Sequence, residues 1–269
     1  MKRSPTVTLC ISTYNWPQAL ELCLESVLLQ THMPDEVIIG DDGSRDETKV
    51  LIDAIKKKFP VPVIHVWQPD DGFRLAEIRN KSFAAATSEY IIQVDGDVVL
   101  NKYFIEDHLR FAKPETFLAG GRSMLTEEAS KMLMQKKNLT KISKEYELKK
   151  KHNAFHFLPA AFINYYVQQG KKQAKYVLGV NMSFWKKDLV RVNGYNENFT
   201  GWGKEDNDLA FRLCNAGVNV HFLKFAGIVY HIHHKEPVLD KMQYNEGLLQ
   251  QAILNKEVFV ANGLSKYLK

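Results

Sequence analysis

The chain is poor in cysteine, with three in 269 residues: Cys10, Cys23 and Cys214. They are scattered, odd in number and without metal-ligand spacing, which excludes a disulfide framework or a zinc knuckle and points to a reducing, cytosolic setting. Long apolar runs are also missing. No stretch of roughly 18 apolar residues occurs, so no membrane span is expected. The opening MKRSPTVTLCISTYN breaks its short apolar stretch at Thr8, Ser12 and Thr13 and does not read as a signal peptide. Charge of one sign is not in large excess: 36 basic residues against 31 acidic ones give +5, which does not indicate nucleic-acid binding. There is no internal repeat, no low-complexity segment and no P-loop. What remains, 45% hydrophobic and 25% charged, is the composition of a globular chain with a large core. The length suits one catalytic domain with elaborations better than two separate domains.

Residues 7 to 12 (VTLCIS) and 36 to 41 (EVIIGD) are short apolar β-forming runs, each followed by turn residues and a helical pattern. After Asn15 and Pro17, Leu20, Cys23, Leu24, Val27 and Leu28 form one helix face. Ser44 and Glu47 have the spacing of a capping box, with Val50, Leu51, Ala54 and Ile55 as the expected buried stripe. A strand at 61 to 67, a helix at 74 to 87 and a strand at 90 to 94 continue the rhythm. The fold class is therefore α/β, with a mostly parallel sheet covered by helices on both faces. Ligands of such sheets sit beyond the carboxyl ends of the strands. Thr13-Tyr14-Asn15, Asp41-Asp42-Gly43-Ser44 and Asp95-Gly96-Asp97 all fall there.

Four constellations carry chemistry, and each has a plainer reading. Asp95-Gly96-Asp97 can aim two carboxylates at one divalent cation, but Asp and Gly are also good turn formers. His231 in YHIHH, with an aspartate, fits a borderline cation such as Mn²⁺; alternatively His231, His233 and His234 alternate on an exposed strand end. In GWGKEDND, Glu205 and Asp206 suit the first turn of a helix for dipole reasons alone, while Gly201-Trp202-Gly203 has the look of a loop that closes over a substrate. Asp42 either belongs to a turn or accepts from a nucleobase or ribose.

In order and spacing, Ser12-Thr13-Tyr14-Asn15, Asp41-Asp42-Gly43-Ser44, Gly72 with Arg79-Asn80, Asp95-Gly96-Asp97, Gly179-Val180-Asn181, Gly201 to Asp206 and Tyr230-His231 resemble an inverting glycosyltransferase of family 2 with the GT-A fold. The second half is similar to the C-terminal region of galactosyltransferases and to bacterial chondroitin-type polymerase modules. The resemblance implies a Rossmann-like nucleotide-sugar-binding half at about 5 to 120 and an acceptor and catalytic half at about 176 to 236. It implies a UDP-sugar donor, of galactose or N-acetylgalactosamine type, and a glycan or lipid-linked acceptor, with Mn²⁺ or Mg²⁺ as cofactor. Thr13, Tyr14, Asn15, Asp42, Gly72, Arg79, Asp95 and Gly96 would bind the nucleotide sugar, with Asp42 on uracil. Asp97 and His231 would ligate the metal. Asp206 would be the catalytic base, helped by Glu205, and Trp202, Gly203 and Asn181 would contact substrate. Lys204 stands where such motifs usually have a second glycine.

The region at about 122 to 175 is rich in lysine and unmatched by the resemblance; it reads as a solvated helical insertion or as a surface for anionic lipid or a phosphorylated carrier. The tail at about 237 to 269 reads as a helix packed on the domain, or as an interfacial one. The expected activity is hexosyl transfer in cell-surface polysaccharide synthesis, in the cytoplasm or at the inner face of the membrane, with peripheral membrane association and no nucleic acid. A metal-dependent nucleotidyltransferase or phosphohydrolase would use the same sheet edge. A catalytically inactive sugar-nucleotide-binding subunit would have no need of Asp97, Asp206 and His231 together.

Overall fold

The computed structural model describes residues 3–167, 171–235 and 239–268. In chain order the elements are β1 (Val7–Thr13), α1 (Pro17–Val27), β2 (Glu36–Asp41), α2 (Asp46–Ile55), β3 (Val63–Trp67), α3 (Leu75–Ala85), β4 (Tyr90–Asp95), β5 (Val98–Leu100) and α4 (Phe104–Phe111). Then follow β6 (Thr116–Gly120), β7 (Arg122–Met124), α5 (Glu127–Lys136), α6 (Ile142–Glu145), α7 (Leu158–Val167), β8 (Asn181–Trp185), α8 (Lys186–Val192), α9 (Glu205–Asn215), β9 (Asn219–Leu223), β10 (Val229–His231) and α10 (Met242–Leu254).

Seven strands form one sheet in the order β3-β2-β1-β4-β8-β6-β9. All run the same way except β8, which is antiparallel to both β4 and β6. The mostly parallel sheet expected from the βα rhythm is therefore present, and β8, between β4 and β6, joins its two parts. Alternation along each strand splits the core into two layers. Leu9 and Ile11 of β1 and Val37 and Ile39 of β2 pack under α1, α2 and α4. Cys10 and Ile38 face the other way, with Leu209 and Leu213 of α9 and Leu189 of α8. Fully burying each such side chain is worth about 1.5–3 kcal/mol. A second, three-stranded sheet, β5-β10-β7, stands at the carboxyl end of β4.

Two local expectations are corrected. Ser44 does not cap α2: its hydroxyl accepts from the backbone N–H of Asn15 at 2.8 Å, and Arg45 occupies the cap position without a side-chain bond. The buried stripe of α2 is Thr48, Ile52 and Ile55, whereas Val50 and Ala54 face solvent, because a helix starting at Asp46 turns positions 48, 52 and 55 to the sheet. Downstream, α10 lies against α9, and the segment after it returns Leu264 to the core layer of α9. The tail is thus packed on the domain.

Candidate active site

The carboxyl ends of β1, β2 and β4 open into a cavity of about 580 Å³. Thr13 and Tyr14 after β1, Asp42 after β2 and Asp95, Gly96 and Asp97 after β4 line it, together with Trp202 and His231. Asp42 is almost fully buried, its Oδ1 accepting from Gln68 Nε2 at 2.5 Å and its Oδ2 from the Arg74 backbone N–H at 2.9 Å. Burial pushes its carboxyl up to about 6 against the pull of those two donors. The turn that presents it depends on Gly43, which has φ of +95°; a Cβ there would stand 2.5 Å from the Asp70 backbone. Tyr14 is half-exposed and donates its hydroxyl to Asp70 Oδ2 at 2.9 Å. Of the expected site residues, Asn15, Gly72, Gly203 and Asp206 do not line the cavity. Asn15 instead knits the first two loops, accepting from the Arg45 N–H at 2.9 Å, and Gly72 sits on the exposed loop before α3.

At the other end of the cavity, Asp97, His231 and His234 bring one ligand atom each within 4.8 Å of one another. Asp97 Oδ2 lies 3.5 Å from His231 Nε2 and 3.3 Å from His234 Nε2. Pairing of β10 with β5 and a bond from the Ile232 N–H to the Asp97 carbonyl fix this approach. Each ring has its Nδ1 on a backbone carbonyl, His231 on Ile232 at 2.9 Å and His234 on Lys235 at 2.6 Å. A carbonyl only accepts, so Nδ1 carries a hydrogen, and Nε2 of each ring faces Asp97, donating to it when the ring is protonated and available to ligate a cation when the ring is neutral. Asp97 Oδ1 is buried without a partner. An orphaned carboxylate oxygen and two oriented imidazoles are a donor set suited to a borderline divalent cation. Burial works to raise the Asp97 pKa, but the bond to His234 and the two nearby rings hold it below the usual carboxylate range. Burial lowers His231, whereas the bond to Asp97 raises His234.

Behind the cavity wall, Arg79 is the hub of a second cluster. The side chain is 2% exposed. Its Nη2 donates to Asp95 Oδ1 at 2.9 Å and its Nη1 to Asp206 Oδ1 at 2.8 Å and Glu205 Oε1 at 3.3 Å. Three carboxyls share one guanidinium. Burial, and then the Asp206 charge, push Glu205 up to about 8, and burial pushes Asp95 up to about 6 against Arg79. The Tyr195 hydroxyl lies 3.0 Å from both Asp206 Oδ1 and Gln93 Oε1. Asp206 Oδ2 accepts from the Gly179 N–H at 2.8 Å, and this contact requires glycine, since a Cβ at 179 would fall 2.1 Å from the carboxylate.

These contacts correct three expectations. Arg79, expected near the nucleotide, faces carboxylates instead, because no buried guanidinium can go unpaired. Asn181, expected at substrate, is fully buried, bonding His108 Nε2 and the carbonyls of Gly121 and Gly227. Glu205, expected to assist acceptor binding, is buried against Arg79, its Oε2 without a partner.

The Gly-Trp-Gly loop holds Trp202 41% exposed at the cavity and is latched from behind by α10. Asn245 Nδ2 donates to the Thr200 and Gly203 carbonyls at 3.1 and 2.9 Å, and Lys204 Nζ pairs with Glu246 at 2.7 Å. Lys204 has φ of +79°, the left-handed backbone that its usual glycine counterpart adopts without strain.

Sequence reasoning missed His234, Arg122 and Lys149 as cavity residues. His234 had a signal in the HIHH run; the other two lie in the lysine-rich stretch, where nothing set them apart. Among the described residues no helix is long and apolar enough to cross a membrane, and all three cysteines are buried and outside any disulfide.

Comparison with known proteins agrees with this geometry. Residues 8–166 match the model of "Glycosyl transferase family 2", and residues 163–235 match one described as "N-terminal domain of galactosyltransferase". Chondroitin synthase of Escherichia coli is 25% identical over 248 residues, which is 86% of this chain but 35% of that protein, so the chain spans about a third of this relative. Two solved structures share the GT-A fold. S. aureus TarS residues 1–349 in complex with UDP has a TM-score of 0.63 and 15% identity, over 97% of this chain and 68% of that one. The mannosyltransferase PcManGT of Pyrobaculum calidifontis, in complex with GDP-Man and Mn²⁺, has a TM-score of 0.61 and 15% identity, over 99% and 74%. With more than half of its length matched to the family model and its sheet built as GT-A enzymes build theirs, the chain belongs to glycosyl transferase family 2.

Proposed function

We propose that the chain transfers a hexose, of galactose or N-acetylgalactosamine type, from a UDP-sugar to a hydroxyl of a glycan or lipid-linked acceptor, with inversion, in the synthesis of a cell-surface polysaccharide. One observation carries the reading: a buried carboxylate suited to a nucleobase, Asp42, and a divalent-cation donor set, Asp97 with His231 and His234, open on the same cavity at the sheet's carboxyl edge. A nucleoside diphosphate needs both. Thr13 and Tyr14 would flank the uridine. Arg122 and Lys149 bring two cationic side chains to the cavity wall, where phosphate oxygens would take their hydrogen bonds. The UDP bound to TarS and the Mn²⁺ bound to PcManGT support the choice of ligands, and the galactosyltransferase match supports the sugar type.

Mn²⁺, or Mg²⁺, held by Asp97, His231 and His234 would neutralise the diphosphate and so make UDP a better leaving group. In the transfer the acceptor oxygen bonds to the anomeric carbon as the bond from that carbon to UDP breaks, and the acceptor proton passes to Asp206. Its Oδ2 has one donor, Gly179, and keeps a lone pair for this, while Arg79 and Tyr195 on Oδ1 hold the carboxylate in place. Trp202 would cover the sugar. The test is a screen of nucleotide sugars by thermal shift and UDP release, with Mn²⁺ and with chelator. UDP-sugars should stabilise selectively and release UDP only with metal. Full turnover in excess chelator, or equal stabilisation by CDP- and UDP-sugars, would overturn the assignment.

A further inference from the structure

Between Glu147 and Asp188 the chain has no aspartate or glutamate but has eight lysines. Within this acid-free stretch lies a patch of exposed apolar side chains. Phe155, Phe157, Ile163, Tyr166 and Val167 are 59, 47, 67, 67 and 71% exposed. The helix α7 buries Ala161 and Tyr165 against Phe111 and Leu223, and spacings of three and four turn Ile163, Tyr166 and Val167 together to the outside. Phe155 continues the patch, its ring 6.0 Å from that of Phe157 and 6.5 Å from that of Phe225. Cations border it. Lys113 Nζ donates to the Tyr166 hydroxyl at 3.1 Å, Lys224 lies over Phe225, and exposed Lys150 and Lys151 precede Phe155.

We propose that this face docks on the surface of an anionic lipid bilayer, with α7 lying in the interface. Exposed aromatic and aliphatic side chains in a stretch that carries lysines and no acid are a pattern that inserts at the headgroup boundary and attracts anionic lipid; Glu106 and Asp107, beside Phe157, are carboxylates at its edge. Ten residues are too few to span, since a crossing takes about 20. A second copy of the chain fits poorly, because a twofold contact through this face would set lysines against lysines. The inference rests on the surface alone and does not depend on which sugar is transferred.

Flotation with vesicles of phosphatidylcholine, and of phosphatidylcholine mixed with phosphatidylglycerol, tests it on the whole chain. Binding should be confined to the mixed vesicles and should fall in high salt. Ile163→Asp with Val167→Asp, and separately Lys150→Glu with Lys151→Glu, should each weaken it by roughly tenfold or more. All four positions are exposed, so the thermal midpoint should hold; if the helix pair unfolds the protein, the lysine pair decides. Binding to neither vesicle, equal binding to both, or binding undiminished in the folded variants would overturn the proposal. So would a concentration-dependent dimer that Ile163→Asp breaks, which would assign the face to a second copy.

Discussion

Asp95 and Asp97 stand two residues apart on one turn, yet they enter opposite kinds of cluster. Asp97 faces the Nε2 atoms of two imidazoles, and one of its oxygens has no partner. Asp95 is joined through Arg79 to Glu205 and Asp206, in a network in which both terminal nitrogens of the guanidinium donate to carboxylates. The first cluster is unsatisfied by the protein and open to a ligand. The second is largely satisfied by the protein and rigid, as suits a group that must hold one carboxylate at a reacting hydroxyl. The difference teaches that acidity alone does not mark a cation site: the second cluster already holds a guanidinium among its carboxyls, whereas the first holds none and turns a carboxylate and two imidazole nitrogens to the cavity.

Substitutions can break this contrast from either side. The largest effect is expected at Asp206: Asp206→Asn should lower kcat by roughly 10²- to 10⁴-fold while UDP affinity persists, since the nucleotide contacts lie elsewhere. Near-normal kcat would remove Asp206 from the base role. Arg79→Met should destabilise the fold by about 3–5 kcal/mol in denaturant titration, because it leaves three carboxyls without their shared cation. The same cluster makes stability depend on pH. Glu205 titrates near 8 when folded against an ordinary 4.5, so between these values the native state holds more protons than the unfolded chain. Stability is full below that window and declines as pH rises through it. Glu205→Gln should flatten the decline of the thermal midpoint from pH 5 to 8; an unchanged slope would mean that another group carries it.

Much of the donor side was legible in the sequence, and the reason is topological. Polar clusters after successive parallel strands must meet at one edge, which gives Thr13, Asp42 and the Asp95–Asp97 turn without knowledge of packing. The interior roles of Arg79 and Asn181 were not legible, since whether a polar side chain points into a cavity or into the protein is decided by tertiary neighbours. His234 illustrates a subtler failure. Alternation along a strand would pair His231 with His233, but β10 ends at His231, so the period of two lapses and His234 turns to Asp97 instead. The antiparallel insertion of β8 between β4 and β6 has no local signature either, because its residues alternate like those of any buried strand.

Smaller effects sharpen the contrast. Asp42→Ala should weaken UDP binding by about 1.5–3 kcal/mol in calorimetry, the worth of a hydrogen bond to a charged group, and should relax the preference for uridine. Unchanged discrimination between UDP and CDP would leave Asp42 as part of a turn. Lys204→Gly relieves a left-handed lysine, a strain of about 1–3 kcal/mol offset in part by the greater chain entropy of glycine, and loses the pair with Glu246, worth about 1 kcal/mol or less. Its thermal midpoint should stay near that of the parent, with any change in kcat reporting on the Trp202 loop.

The central claim, that Asp97, His231 and His234 hold a divalent cation together with a nucleoside diphosphate, is tested most directly by titrating Mn²⁺ into the protein with and without UDP. Coupling is reciprocal, so Mn²⁺ affinity should rise sharply when UDP is present and UDP affinity should rise by the same factor with Mn²⁺. His234→Ala should abolish most of that gain, whereas His233→Ala should leave it. Equal Mn²⁺ affinity with and without UDP, or full coupling in His234→Ala, would contradict the account.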